Sequence, residues 1–218
     1  MNTKDEVMAA VQSGDLAKLQ QLLAEDPSSA AARDVHGVTV IMQALYTGRA
    51  DIAKLLQDAK SELDIFEATS LGKADRMTDL IAKDSSLANV WSPDGFTPLH
   101  FACFFGQEET AGCLLNCGAE VNVASRNPMK VMPLNSAAAG HNLAIVRMLL
   151  EHKADPNAKQ QAGWTPLHAA AQHGDQEMLE LLLKYDADPS IANEAGVTAA
   201  QLAREKGHVE LLRRLGAA

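Results

Sequence analysis

The sequence is short of aromatic residues, of cysteine, of basic charge and of long apolar runs, and each shortage removes a class of protein. Only 4% of its 218 residues are aromatic although 47% are hydrophobic, so Ala, Leu, Val, Ile and Met carry the apolar content. Those residues pack helices closely, which points to an all-helical stack. No stretch reaches the roughly 18 to 20 consecutive apolar residues that span a bilayer. Met1 to Met8 has no basic segment followed by an apolar core, so neither an anchor nor a signal peptide is expected. The three cysteines, Cys103, Cys113 and Cys117, are odd in number and clustered, unlike a secreted disulfide framework, and a reducing cytoplasm is the expected location. Against 28 acidic side chains stand 19 basic ones, and the net charge of -9 repels a phosphate backbone; nucleic acid is not an expected partner.

Reactive motifs are also missing. There is no zinc-protease helix motif, no phosphate-binding glycine loop, no Cys-x-x-Cys pair and no nucleophile elbow. Cys113 and Cys117 are one helical turn apart, and Cys117 falls in a last turn, where the helix dipole disfavours a thiolate. The seven histidines are dispersed, so no four-ligand metal site is indicated. Neither catalytic residues, nor a metal, nor a cofactor is expected.

What the chain has is internal repetition. Gly95-Phe96-Thr97-Pro98-Leu99-His100 recurs as Gly163-Trp164-Thr165-Pro166-Leu167-His168, at twice a period of about 34 residues. A weaker copy, Met132-Pro133-Leu134-Asn135, lies between them, and further copies begin at Gly37-Val38-Thr39 and Gly196-Val197-Thr198. The segments Thr97 to Asn122, Met132 to Asn157 and Thr165 to Ser190 are equal in length, so the two-helix body is constant. The slippage is confined to the connecting hairpins, where Asn122 to Met132 is longer than Asn89 to Thr97 or Asn157 to Thr165.

This pattern resembles the ankyrin-repeat family, whose unit is a hairpin turn followed by two antiparallel helices. The resemblance implies an all-α ankyrin-repeat solenoid of about seven helix-turn-helix units with connecting hairpin loops. We read one domain, 1–218, with repeats at 3–35 (an N-terminal cap), 36–62, 63–92, 93–126, 127–160, 161–194 and 195–218 (a C-terminal cap). The helices of the N-terminal cap are expected at Asp5 to Ser13 and Leu16 to Glu25, and the last repeat ends in a short helix over Leu211 to Leu215. Gly48 and Gly72 hold equivalent places in repeats 2 and 3 yet stand much closer together than one full period. No hairpin fits between those repeats, and a gap in the hairpin row is expected there.

Thr97 and Thr165 are suited to cap the first helix through the hydroxyl, and Pro98 and Pro166 occupy the first helical position, where the missing N–H costs nothing. Leu99 and Leu167 follow as the apolar members of the motif. Met132 cannot cap, at a cost on the order of 1 kcal/mol unless the longer hairpin supplies another acceptor. The resemblance implies that His100 and His168 bond back to neighbouring backbone and tie adjacent hairpins, with Asn135 able to do part of this.

The resemblance also implies that a partner protein lies on the concave face, made by hairpin tips and the exposed ends of first helices. The first-helix positions there include Tyr46, Ser70, Phe104, Phe105, Gln172 and His173. The hairpin positions include Trp91, Asp94, Phe96 and Trp164, and the longer hairpin adds Arg126, Met129 and Lys130. Trp91, Phe96, Phe104 and Phe105 form an expected apolar patch, with Phe101 set aside as a core residue. For Phe96 and Trp164 packing on hairpin neighbours is the simpler reading; for Phe104 and Trp91 packing and binding stand level. The expected function is a monomeric adaptor or stoichiometric regulator binding a protein. The competing reading is an acidic inhibitor or immunity-type protein that blocks a basic active site.

Overall fold

The computed structural model describes residues 3–217, so residues 1, 2 and 218 at the edges of the expected 1–218 span lie outside the described residues. Thirteen α-helices and no β-strand occur among the described residues. They are α1 (Thr3–Ser13), α2 (Leu16–Glu25), α3 (Val40–Tyr46), α4 (Ala50–Ala59), α5 (Ile65–Ser70), α6 (Ala74–Lys83) and α7 (Pro98–Phe104). Then come α8 (Glu108–Asn116), α9 (Pro133–Ala139), α10 (Leu143–Glu151), α11 (Pro166–His173), α12 (Gln176–Lys184) and α13 (Ala199–Lys206). Odd-numbered helices pack on one another in series, and the even-numbered ones stack behind them. The seventh unit differs from expectation. Its closing segment is a 3-10 turn at Val209–Leu211 followed by turns, because only one i to i+4 bond forms there, from Leu215 N–H to the Leu211 carbonyl.

Small and branched apolar side chains fill the contacts between units: Leu99, Ala102, Leu134, Ala137, Leu167 and Ala170 are all buried on the first helices. Three repeating hydrogen-bond devices then fix the spacing. Asn89, Asn122 and Asn157 each bridge to the next unit. Asn122, for example, donates from Nδ2 to the Lys153 carbonyl at 2.8 Å and accepts from Asp155 N–H at 2.8 Å. At the opposite side, Gln107 donates to the Ser70 carbonyl at 2.9 Å and Asn142 to the Cys103 carbonyl at 3.0 Å. Gly106, at φ 69°, gives Asn142 its room, since a Cβ there would lie 2.8 Å from Asn142 Oδ1.

The histidines make the third device. His100 Nδ1 accepts from Thr97 N–H at 3.2 Å and lies 2.8 Å from the Thr97 hydroxyl, so the proton sits on Nε2, which donates to the Val131 carbonyl at 2.9 Å. His168 repeats this with Thr165 and the Val197 carbonyl at 3.0 Å. Thr97 and Thr165 thus cap as expected, each closing a capping box with the histidine three residues on, and each hydroxyl also lies 2.8 Å from that imidazole. Thr39 and Thr198, which have no histidine three residues on, accept from the N–H groups of Met42 and Gln201. Asn135 serves in repeat 5: its Oδ1 accepts from Met132 N–H at 3.4 Å and its Nδ2 donates to the Ala158 carbonyl at 3.1 Å.

Most of the buried apolar residues fall into two clusters, one from Val7 to Leu56 and one from Ile65 to Leu215, with the partly buried Leu63 packed against both. The seam between them is where no hairpin exists: α4 passes to α5 through Lys60–Asp64 alone. A buried ion pair crosses it. Lys60 Nζ lies 2.8 and 2.6 Å from the two oxygens of Glu67, whose side chain is fully buried. Asp64 caps α5 through the N–H groups of Phe66 and Glu67 and also pairs with Arg33 at 2.8 Å. The expected gap in the hairpin row is closed. With α5 only six residues long, the hairpins on either side meet, and a Cβ on Gly37 would stand 3.3 Å from Pro93 Cγ.

Two measurements test this account. Lys60→Met leaves Glu67 buried without a counter-charge and is expected to lower stability by about 3–5 kcal/mol in urea unfolding, where an exposed pair would cost under about 1 kcal/mol. Burial holds the His100 imidazole down at about 4, against an ordinary value of 6.5. The unfolded ring therefore takes its proton first, and this contribution to stability is present above pH 6.5 and is lost as pH falls towards 4. At about 1.4 kcal/mol per unit it amounts to at most about 3.5 kcal/mol. His100→Asn, which copies Asn135, is expected to remove that part of the acid-induced fall in urea midpoint between those pH values.

Candidate functional site

Phe101 is a core residue by its place in the repeat, and it is buried at 2% exposure, yet it is the hub of an aromatic cluster that crosses the seam. Its ring centroid lies 5.7 Å from Phe66, 5.7 Å from Phe96, 6.4 Å from Tyr46 and 6.5 Å from Phe105. These rings come from repeats 2, 3 and 4, and the link between them is Tyr46. Its hydroxyl donates to Asp94, which also accepts from the Ser92 hydroxyl, so a residue on α3 is bonded to the hairpin that leads into α7. Burial, and then the Asp94 carboxylate beside it, push the Tyr46 phenol well above its ordinary value, so it stays a donor.

Tyr46 and Phe105 stack at 6.2 Å, and α5 is the helix between α3 and α7. Ser70, at the end of α5, is 1% exposed and its hydroxyl has no hydrogen-bond partner.

The cluster opens into a cleft of about 460 Å³. Tyr46, Phe96, Phe101 and Phe104 make one wall, and Met129 and Val131 of the longer hairpin make the other. Phe104, 57% exposed, packs edge-on against Phe105 at 5.0 Å. The longer hairpin is braced so that Met129 reaches the cleft: Asn127 Oδ1 accepts from Met129 N–H at 3.1 Å, and Asn127 Nδ2 donates to the Asp94 carbonyl at 3.0 Å.

The structure thus brings together Tyr46, Asp94, Phe96, Phe104 and Met129 of the expected residues. Phe105 lies behind them in the ring stack. Trp91 turns to the other side of its hairpin, where Arg126 stands over its ring at 4.1 Å. Lys130 is exposed, at φ 51°, and Trp164 lies 5.6 Å from His168. Gln172 and Trp164 line an adjoining groove of about 350 Å³ that shares Met129, Val131 and Gln160 with the cleft. His173 packs on His141, with centroids 4.2 Å apart, and burial followed by that neighbour lowers its pKa. Tyr46 is identifiable from its position before the turn, whereas Val131 and Gln160 carry no motif and are invisible to sequence reasoning.

Reactive groups are subdued. All three cysteines are free, and burial raises the Cys103 thiol and, with Glu109 nearby, the Cys113 thiol. Among the described residues, no group of three or more His, Cys, Asp or Glu is placed to hold a metal ion. No helix there is long and apolar enough to cross a membrane.

The family described as ankyrin repeats (3 copies) matches residues 7–125, 65–160 and 134–217. The chain belongs to the ankyrin-repeat family, whose arrays are in general protein-interaction modules. Among characterised proteins it is 30% identical over 126 residues to the zebrafish (Danio rerio) ankyrin repeat and SAM domain-containing protein 6, covering 53% of this chain and 17% of that protein. It is 33% identical over 98 residues to human BCL-6 corepressor-like protein 1, covering 45% of this chain and 5% of the relative. With the human transient receptor potential cation channel subfamily A member 1 it shares 37% over 92 residues, 41% of this chain and 8% of the channel. The chain therefore spans less than a fifth of the length of each of these relatives.

The cluster yields one stability test. Ser70→Ala removes a buried hydroxyl without a partner and is expected to raise stability by on the order of 1 kcal/mol in urea unfolding, whereas a loss would show that the hydroxyl is satisfied.

Proposed function

We propose that this chain is a non-catalytic adaptor or stoichiometric regulator that holds a partner protein in the concave cleft between repeats 4 and 5. The observation that carries the reading is the cleft itself, an aromatic-walled concavity of about 460 Å³ with Phe104 57% exposed at its edge. Exposed apolar surface of this kind marks an interaction site, and its aromatic content is that of a binding hot spot. The repeat bounds given above, a monomeric state and a cytoplasmic location are part of the same proposal; the net charge of -9 supports the monomer and the three free cysteines the location. The relatives' names describe a SAM-domain protein, a corepressor-like protein and a cation channel, so the array serves in unlike settings and the partner is sought from the cleft.

Phe104→Ala is expected to weaken retention of the partner at least about tenfold in affinity capture with mass-spectrometric identification, since anchor truncations cost upwards of about 2 kcal/mol. Circular dichroism should be unchanged because the side chain is exposed. Equal retention by both forms would remove the cleft from the mechanism. Steep loss of affinity with added salt and indifference to Phe104 would favour the acidic-inhibitor reading instead.

A further inference from the structure

Three of the five large apolar side chains exposed among the described residues, Tyr46, Phe104 and Met129, stand on this one cleft, so its anchor position is apolar and bulky. Its electrostatics are equally restricted. In a chain with 28 acidic and 19 basic residues, the only carboxylate lining the cleft among the described residues is Asp94, already bonded to Tyr46 and Ser92. The only other ionisable side chains lining it are the Tyr46 phenol, neutral at pH 7 as an ordinary phenol is and pushed further up here, and the His100 imidazole, kept neutral by burial. No described Lys, Arg or Glu faces the cleft, so an anionic ligand would lose water and gain no counter-charge, and a cationic one would meet only Asp94, whose two oxygens already accept from Tyr46 and Ser92.

The polar groups best placed to meet a ligand are primary amides. Gln160 lies on the boundary shared with the adjoining groove, and Gln161 and Gln172 line that groove. Elsewhere Gln21 bonds Glu25, Gln43 Asp34, Gln107 the Ser70 carbonyl, Gln176 Glu180 and Gln201 the Thr198 N–H, while Gln12, Gln20 and Gln57, like the three here, have no side-chain hydrogen bond among the described residues; only Gln160, Gln161 and Gln172 stand on the cleft or its adjoining groove. The side-chain amides of Gln160, Gln161 and Gln172 have no partner among the described residues. A primary amide offers a donor and an acceptor together, which matches the N–H and C=O of a peptide unit. Helical ligands have used those groups internally, whereas an extended chain presents them.

We infer that the occupant is an extended, uncharged segment of a partner protein, with one bulky apolar side chain seated against Phe96, Phe101 and Phe104 and its main chain bonded to the Gln160 and Gln172 amides. The inference rests on the functional reading above and specifies its ligand. A second copy of this chain is a poor occupant, because it brings the same net charge of -9.

The test is selection on the purified full chain from a phage-displayed library of random linear peptides, followed by titration of the enriched peptides. Enriched sequences are expected to carry a single Phe, Trp, Leu or Met among uncharged neighbours. Their affinity should fall at least about tenfold with Phe104→Ala and by about fivefold or more with the Gln160→Ala/Gln172→Ala pair. N-methylation of one main-chain amide beside the anchor, which leaves every side chain in place, should weaken binding by a similar factor. All these substitutions are on part-exposed or exposed side chains, and circular dichroism checks the fold. Enrichment of strongly charged peptides, indifference to both the glutamine pair and N-methylation, or no enrichment at all overturns the inference. In the second case, if Phe104→Ala still abolishes binding, the cleft survives as the site and only the extended, main-chain mode fails. Binding that ignores Phe104→Ala removes the functional reading as well.

Discussion

Two helices of seven and nine residues, such as α7 and α8, carry an apolar stripe that they cannot bury between themselves, and every unit of this protein depends on its neighbours for that reason. The requirement explains why so many bonds run from one unit to the next. Asparagines 89, 122 and 157 clamp the turn of the following unit, His100 and His168 tie one hairpin to the next, and Gln107 and Asn142 reach back to the preceding helix. Each tie satisfies a main-chain group at a unit boundary, where helix ends leave carbonyls and N–H groups without partners. The solenoid is held by stacking and kept in register by polar bonds at its edges.

The seam between repeats 2 and 3 interrupts this regularity, and the aromatic cluster forms at the interruption. With no hairpin over α5, apolar rings from α3 and α7 are free to meet, and Tyr46, Phe66, Phe101 and Phe105 fill the space. A regular array would place a hairpin in the way. The seam needs its own attachments, and it has them in the buried Lys60–Glu67 pair, the Arg33–Asp64 pair and the Tyr46–Asp94 hydrogen bond. Removing either partner of a buried pair is costly even when the intact pair adds little net stability, which makes Lys60 a sensitive position.

Much of this is legible in the sequence where a residue has a mechanical reason tied to its position. The Thr-Pro-Leu-His motif, the two-helix body of constant length and the glycines after the first helices announce the unit, and the missing hairpin is visible as a short spacing. The aromatic cluster is only half visible. Phe104 and Phe96 can be placed by slot, but the slot of Phe101 reports burial and not what lies across a seam. The meeting of Tyr46 with Asp94 depends on two hairpins leaning together over a helix of six residues, a three-dimensional consequence that no local pattern encodes. Val131 and Gln160 are hairpin residues without motif identity, and only the shape of the longer hairpin brings them to the cleft.

The first apolar cluster is built wholly from residues 7–56, with no buried member beyond the seam. As the chain leaves the ribosome, repeats 1 and 2 therefore have their buried core to hand before Ile65 is made, in keeping with vectorial folding of N-terminal units. Tyr46 is then synthesised early but acquires its partners late, since Asp94 and Phe101 lie two repeats downstream. The cleft closes its outline only when Met129 and Gln160 have followed. A nascent chain halted before repeat 5 would lack Met129, Val131 and Gln160, so the cleft takes shape only once that repeat has been made.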